Sequence, residues 1–267
     1  MVVTSRRRND RSAPARGAHR HSRQAPGAAT GHWLWGWHAV TAALSNPARE
    51  APRRILVTAE RVRALDGPIA SGIQMEIIEN AAISARLPAG AAHQGVALDV
   101  APLAPTPLAE LATPPTGVIL MLDQVTDPQN VGAIFRSAAA FGARGVVLQE
   151  RHAPLLAGTL AKAAAGAIDK IPHAREINLS RALERLDELG WRAVGLDGTA
   201  PDHLADVLDA RATVLVIGSE GEGLRRLVRE HCDAMAAIPM AGGFDSLNVA
   251  AAAAVALYEA SRALARR

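Results

Sequence analysis

The chain has 267 residues, 49% hydrophobic and 21% charged, which is enough apolar material for one large domain or two ordinary ones and too much for a disordered protein. A single cysteine, Cys232, excludes a disulfide framework and any cysteine-based zinc or iron–sulfur site, and no run of about 18 apolar residues exists to span a bilayer, so a soluble cytoplasmic protein is expected. The formal net charge of +3 is uneven: residues 1–30 hold seven arginines against Asp10, a charge of +6, which leaves −3 on residues 31–267.

Residues 1–30 are Arg, Ser, Ala, Gly and Pro with little to bury, and they read as a disordered tail. Such a tail neutralises RNA phosphates, serves as a solubilising extension, or addresses an organelle. No continuous apolar region follows its arginines, so a secretory signal is not expected. Residues 31–100 read as a small α/β unit, with an Ala/Leu helix over His38–Leu44 and strands at Ile55–Thr58, Met75–Ile78 and Val96–Val100. Trp33, Trp35 and Trp37 alternate just ahead of that helix, either to stack on bases or to seat the unit's first strand. Residues 101–116 carry five prolines, none of which can sit inside a helix or a central strand, and read as a linker between domains.

From residue 117 to 267 the pattern is regular. Strand-like runs at Val118–Leu122, Val146–Leu148, Ala193–Leu196 and Val214–Ile217 alternate with helical stretches at Val131–Phe141, Leu155–Ala165, Leu179–Leu189 and Leu247–Leu264. Apolar strands bounded by helices predict a parallel sheet covered on both faces, with any ligand at the carboxyl ends of the strands. The loops after Leu122, Ile217 and Ile238 are therefore where function is sought.

The first loop runs Asp123-Gln124-Val125-Thr126-Asp127-Pro128-Gln129-Asn130 into a helix that starts near Asn130; taken alone, Asn130 caps that helix and Arg136 faces solvent. The second, Gly218-Ser219-Glu220-Gly221-Glu222-Gly223, permits close backbone approach and positive φ. It is neither a Walker loop nor the dinucleotide fingerprint, and its two acids suit a cationic or hydroxyl-bearing ligand better than a phosphate. The third, Pro239 to Asn248, follows a strand ending at Ile238, and Ser246 or Asn248 starts a long Ala-rich helix. It contains no Gly-x-Ser-x-Gly elbow, which sets serine hydrolysis aside.

Taken together and in this order, the three loops closely resemble the motifs of the SpoU/TrmH family of the SPOUT superfamily, RNA ribose 2′-O-methyltransferases, over residues 117–264. Gly36-Trp37-His38-Ala39-Val40 and His93-Gln94-Gly95-Val96 are similar to signatures of the subfamily that methylates guanosine in large-subunit (23S) rRNA, whose small L30e-like α/β domain binds substrate. The resemblance implies a SPOUT-type parallel sheet with a deep C-terminal trefoil knot, a homodimer whose active site draws on both subunits, and S-adenosyl-L-methionine as methyl donor with no metal. By matching motifs, Gly218, Ile238 and Leu247 hold the cofactor's adenosine part. Asn130, Arg136, Glu220, Ser246 and Asn248 fall on the catalytic motif positions. Arg136 aligns phosphate and hydroxyl, with direct base action left open because a guanidinium stays protonated. Asn130 and Glu220 orient Arg136 and the ribose, and Ser246 and Asn248 shape the third loop; Glu220 has an alternative role as a carboxylate bonding loop amides. The implied substrate is rRNA, with tRNA, or a catalytically silent role in RNA binding or ribosome assembly, as the alternatives. Where relatives often have Lys-Ala-Ser-x-Gly-Ala, this chain reads Lys162-Ala163-Ala164-Ala165-Gly166-Ala167, and the loss of that hydroxyl bears on substrate contacts.

Overall fold

The computed structural model describes residues 32–65, 73–242 and 246–266, so the arginine-rich segment 1–30 lies outside the described residues. The amino-terminal unit comprises β1 (Trp33–Trp35), α1 (Trp37–Ser45), β2 (Arg54–Val57), α2 (Ala59–Val62), β3 (Gln74–Ile77), α3 (Asn80–Ser84) and β4 (Val96–Asp99). Its sheet has the order β1-β4-β2-β3, with only β2 and β3 parallel. Side chains alternate between its faces with the period of two that a strand imposes. Leu34, Ile55, Val57, Val96 and Leu98 join the main core beside α1, while Trp33, Trp35, Leu56 and Ala97 pack with Ile83 and Leu87 on the other side. Two of the three alternating tryptophans are thus buried strand residues and not a stacking platform.

Residues 101–116 are not free of structure. Helix α4 (Leu108–Ala112) lies between the prolines: Pro107 caps it and Pro114 and Pro115 follow it, so no proline interrupts its ladder. Leu108, Leu111 and Ala112 are buried, and the indole N–H of Trp191 donates to the Ala112 carbonyl at 2.8 Å.

The remainder comprises β5 (Val118–Leu122), α5 (Pro128–Ala140), β6 (Gly145–Gln149), α6 (Gly158–Ala164), a 3-10 turn at Ala167–Asp169, β7 (His173–Glu176), α7 (Leu179–Glu188), β8 (Arg192–Leu196), α8 (Leu204–Val207), β9 (Thr213–Ile217), α9 (Arg226–Glu230), β10 (Ala234–Ala236) and α10 (Val249–Leu264). Six strands pair in parallel in the order β10-β8-β9-β5-β6-β7. Central β5 is buried along its whole length; Val118, Leu120 and Leu122 face α5, α6 and α10, and Ile119 and Met121 face α4, α7 and α9. This is the covering on both faces that an all-apolar parallel strand requires.

The main core continues across the proline-rich segment, because α6 and the 3-10 turn pack against β1 and α1. Gly158 and Gly166 make this approach close. A Cβ at Gly158 would stand 3.0 Å from the Trp35 ring, and one at Gly166 would stand 2.7 Å from Ala42 Cβ and 2.8 Å from the His38 carbonyl oxygen.

A buried ion pair crosses the same junction. Arg49 Nε meets Asp169 Oδ1 at 2.5 Å and Nη2 meets Oδ2 at 3.2 Å, with the two side chains 2% and 1% exposed. Asn46 Nδ2 also donates to Asp169 Oδ1 at 3.0 Å. Removing one partner strands a buried charge, whereas replacing both by apolar groups does not. Asp169→Ala is therefore expected to lower unfolding free energy by about 3–5 kcal/mol in urea titrations, and an Arg49→Met/Asp169→Leu double variant to recover most of the loss. A loss of less than about 1 kcal/mol in the single variant would contradict the junction's structural role.

His173, buried at the start of β7, adds a pH term. Burial, with lesser contributions from Arg175 and Arg49, pushes its imidazole down to about 4 from 6.5. The unfolded chain binds this proton first, so the stability is whole above pH 6.5 and is lost as pH falls toward 4, amounting to about 3 kcal/mol. Denaturation midpoints measured from pH 7 to pH 4 should show this slope, and His173→Gln should flatten it.

Candidate active site

The carboxyl ends of β8, β9 and β10, the segment after β10 and the start of α10 surround a cavity of about 440 Å³. Gly218, Ile238 and Leu247 all line it, together with Ser246, Glu220 and the apolar side chains of Leu196, Ile217 and Leu224.

The second loop supplies one wall, and its glycines act on the loop itself. A Cβ at Gly218 would fall 2.2 Å from the carbonyl carbon of Gly223 and 2.5 Å from the Leu224 nitrogen, so the absent side chain makes room for the loop's returning backbone. The Gly223 N–H donates to the Ser219 carbonyl at 3.1 Å. Gly221 and Gly223 have φ of 91° and 68°, left-handed values that favour glycine. Asp123, directly after β5 and fully buried, anchors the loop's far end: its carboxylate accepts from the Arg225 backbone N–H at 2.9 Å and from Nε at 2.7 Å.

The polar residues of all three loops converge at one carboxylate oxygen. Glu220 Oε1 accepts from Asn248 Nδ2 at 2.8 Å, from the Val249 backbone N–H at 3.1 Å and from Asn130 Nδ2 at 3.4 Å. Asn248 Nδ2 also donates to Asn130 Oδ1 at 3.0 Å, while Asn248 Oδ1 caps α10 by accepting from the amides of Ala250 and Ala251. Glu220 thus stands as a carboxylate at the positive end of a 16-residue helix. The helix start assigned to Asn130 is corrected by this geometry. Helix α5 begins at Pro128, and Asp127 caps it by accepting from the Asn130 amide at 2.9 Å. An N-cap acid followed by proline at the first helical position is a favoured start, and it frees the Asn130 side chain to reach across.

Arg136 is not brought into this cluster. It is exposed on α5, two turns beyond Asn130 and on another side of the helix, and it makes no hydrogen bond or ion pair among the described residues. Ser246 lines the cavity and is likewise exposed.

A fourth loop, after β8, contributes residues that the sequence reading did not single out. Asp197 Oδ1 accepts from the Thr199 amide at 2.8 Å and hydroxyl at 2.7 Å, and Arg229 pairs with its other oxygen. The Thr199 amide, more than any other group, holds the Asp197 carboxyl below the usual carboxylate range, so an anion sits on the cavity wall. The position of Asp197 just past an apolar strand was the available signal. Cys232 lies apart from this cavity, and burial pushes its thiol up to about 12, so it is no nucleophile at neutral pH. No group of three or more His, Cys, Asp or Glu able to hold a metal occurs among the described residues.

The fold and site define an α/β protein with a doubly covered parallel sheet and a carboxylate-walled ligand cavity at the carboxyl ends of its strands. Residues 117–258, just over half of the chain, match the model of the SpoU rRNA Methylase family, and the chain belongs to that family. It is 40% identical over 244 residues to an uncharacterised tRNA/rRNA methyltransferase of Synechocystis sp., covering 86% of this chain and 62% of the relative. An uncharacterised tRNA/rRNA methyltransferase of Mycolicibacterium smegmatis is 46% identical over 176 residues, covering 64% of this chain and 56% of the relative. The chain thus spans only about three fifths of the length of these relatives. Among solved structures, an AdoMet-bound rRNA methyltransferase from Sinorhizobium meliloti has a TM-score of 0.71 and 26% identity, covering 87% of each chain. The SpoU methyltransferase AviRb from Streptomyces viridochromogenes, with a TM-score of 0.74 and 24% identity over 88% of this chain and 90% of its own, shares the fold.

Proposed function

We propose that this chain is an S-adenosylmethionine-dependent RNA 2′-O-ribose methyltransferase that acts on guanosine in large-subunit rRNA, as a cytoplasmic homodimer. The observation that carries this reading is the junction of Asn130, Glu220 and Asn248 beside the cavity, since these are the polar positions of the three family motifs. The cavity suits the donor: apolar Ile217, Leu224, Ile238 and Leu247 accept a purine ring, while Glu220 and Glu222 add negative charge beyond the Asp197–Arg229 pair and favour a cationic sulfonium and ammonium over a polyanion. When bound, the donor supplies an electrophilic methyl group. The chain's own task is to hold a ribose 2′-hydroxyl in line and to let its proton leave. We assign Arg136 to the alignment of hydroxyl and adjacent phosphate, with a phosphate oxygen taking the proton, because a guanidinium is already protonated.

Arg136, without a partner among the described residues, supports a shared site. Nearby apolar side chains are also uncovered: Val255 and Tyr258 are exposed on α10, and Phe141, after α5, meets the Tyr258 ring edge-on at a centroid distance of 5.9 Å. A second copy covering these apolar side chains would leave Arg136 to act on a substrate held by the partner. The trefoil knot finds support in the course of the chain, which returns from edge strand β10 to set α10 against α5 while Glu220 grips the first amide of α10.

The test of substrate is transfer of labelled methyl groups to unmodified large-subunit rRNA and to bulk tRNA. Label on rRNA, from a particle of twice the monomer mass, is expected. Label on tRNA alone would overturn the rRNA assignment, and a fully active monomer would overturn the shared site.

A further inference from the structure

Most arginines flanking the six-stranded sheet on its α7 and α9 side are matched to carboxylates, as in Arg185–Glu176, Arg192–Asp209, Arg225–Asp123 and Arg229–Asp197. The junction between the amino-terminal unit and α6 is different. Lys162 Nζ donates to Gln94 Oε1 at 2.5 Å, and Arg61 Nε donates to the Gln94 carbonyl at 3.0 Å. Arg61 is also held 5.0 Å from the ring centroid of Trp37, whose backbone N–H donates to Gln94 Oε1 at 3.1 Å. Among the described residues no carboxylate lies within 4 Å of either cation.

The two short amino-terminal motifs build this place. Gly36, at φ 91°, leaves the lane that the Lys162 side chain occupies; a Cβ there would stand 2.5 Å from Nζ. Buried His93 accepts the Gly95 amide at 3.1 Å and pairs with Ser84 Oγ at 2.9 Å, fixing the turn in which Gln94 takes φ 55°. Gln94 thereby holds two cations at one residue. Partial burial pulls the Lys162 amine below its ordinary pKa.

We propose that Lys162 and Arg61, positioned by Gln94 and Trp37, form a binding cradle for the RNA phosphate backbone. The inference rests on the RNA methyltransferase reading and extends it to a particular substrate contact. After these bonds Lys162 retains two N–H donors and the Arg61 guanidinium four, all of which a phosphate can accept. RNA is favoured over another polyanion because the cradle adjoins the catalytic helix. Residue Ala163, next to Lys162, packs so closely on α5 that a Cβ at Gly132 would stand 2.6 Å from its own, and Gly132 is two residues beyond Asn130.

The experiment is fluorescence anisotropy with a labelled, unstructured 20-nucleotide RNA across a salt titration. A Lys162→Gln/Arg61→Gln variant is expected to flatten the slope of log K against log salt by about 1.4, equivalent to roughly tenfold weaker binding at physiological salt. Lys162→Met, which keeps the packed stem, should flatten it by about 0.7, and Lys162→Arg should keep the wild-type slope. An unchanged slope in both charge-removing variants would overturn the proposal. So would tighter wild-type binding of polyglutamate than of RNA, lost in the same variants, which would point to an acidic protein segment. A wild-type protein that binds RNA with the expected slope yet transfers no methyl group would sink the methyltransferase reading and leave the cradle standing.

Discussion

Arg136→Ala should lower single-turnover methyl transfer by about 10²–10³-fold, the loss found when one preorganised donor to a reacting centre is removed. S-adenosylmethionine affinity and melting temperature should stay at wild-type values. Arg136 is exposed and bonded to nothing among the described residues, so its removal costs the fold nothing. Arg136→Lys should recover only part of the rate, because an ammonium keeps the charge but not the planar fork that meets phosphate and hydroxyl together. Mixed dimers, each carrying one Arg136→Ala subunit and one subunit with a disabled cavity, should retain one working site. Calorimetric cofactor binding beside the rate measurement separates the outcomes, since loss of both would show that Arg136 is structural.

Gly218→Ala is expected to abolish cofactor binding, with an affinity loss of at least about 100-fold. The added methyl would lie 2.2 Å from the Gly223 carbonyl carbon and 2.3 Å from its oxygen, and backbone atoms cannot move aside as a flexible side chain can. Relief requires displacing residues 219–224, which carry Glu220 out of reach of Asn130, Asn248 and the Val249 amide. One methyl group thus opens the cavity wall and unties three loops. The parallel sheet does not depend on this loop, so the fold should survive with a modest loss of about 1–3 kcal/mol. Equilibrium binding of S-adenosylmethionine by calorimetry checks this, and wild-type affinity would mean that the cavity is not the cofactor site.

Much of the fold was legible because its central strands are unambiguous. Runs such as Val118–Leu122 and Val214–Ile217 are apolar at every position, as a parallel strand with two covered faces must be. The edges were harder. Strand β7 reads His-Ala-Arg-Glu, too weakly patterned to announce itself, and β10, expected to end at Ile238, is only Ala-Met-Ala and ends at Ala236, where its pairing with β8 stops. Helix α4 was hidden by the prolines that flank it. At the site, the residue types and loops were readable, but their bonding was not. Asn130 resembled a cap until Asp127 proved to hold that place. Asp123 and Asp197 are marked only by their position just past apolar strands, because the partners that give them meaning, Arg225 and Arg229, arrive from the cap and body of α9. That Arg136 lacks a partner among the described residues is likewise visible only in three dimensions.

The position of the transferred methyl group tests the account most directly. RNA labelled by the enzyme from S-adenosylmethionine is hydrolysed in alkali, where each free 2′-hydroxyl attacks its neighbouring phosphate and only a 2′-O-methylated link survives. The label is expected in a single alkali-resistant dinucleotide. Label recovered in mononucleotides would place the methyl group on a base and contradict the reaction assigned to the cluster of Asn130, Glu220 and Asn248.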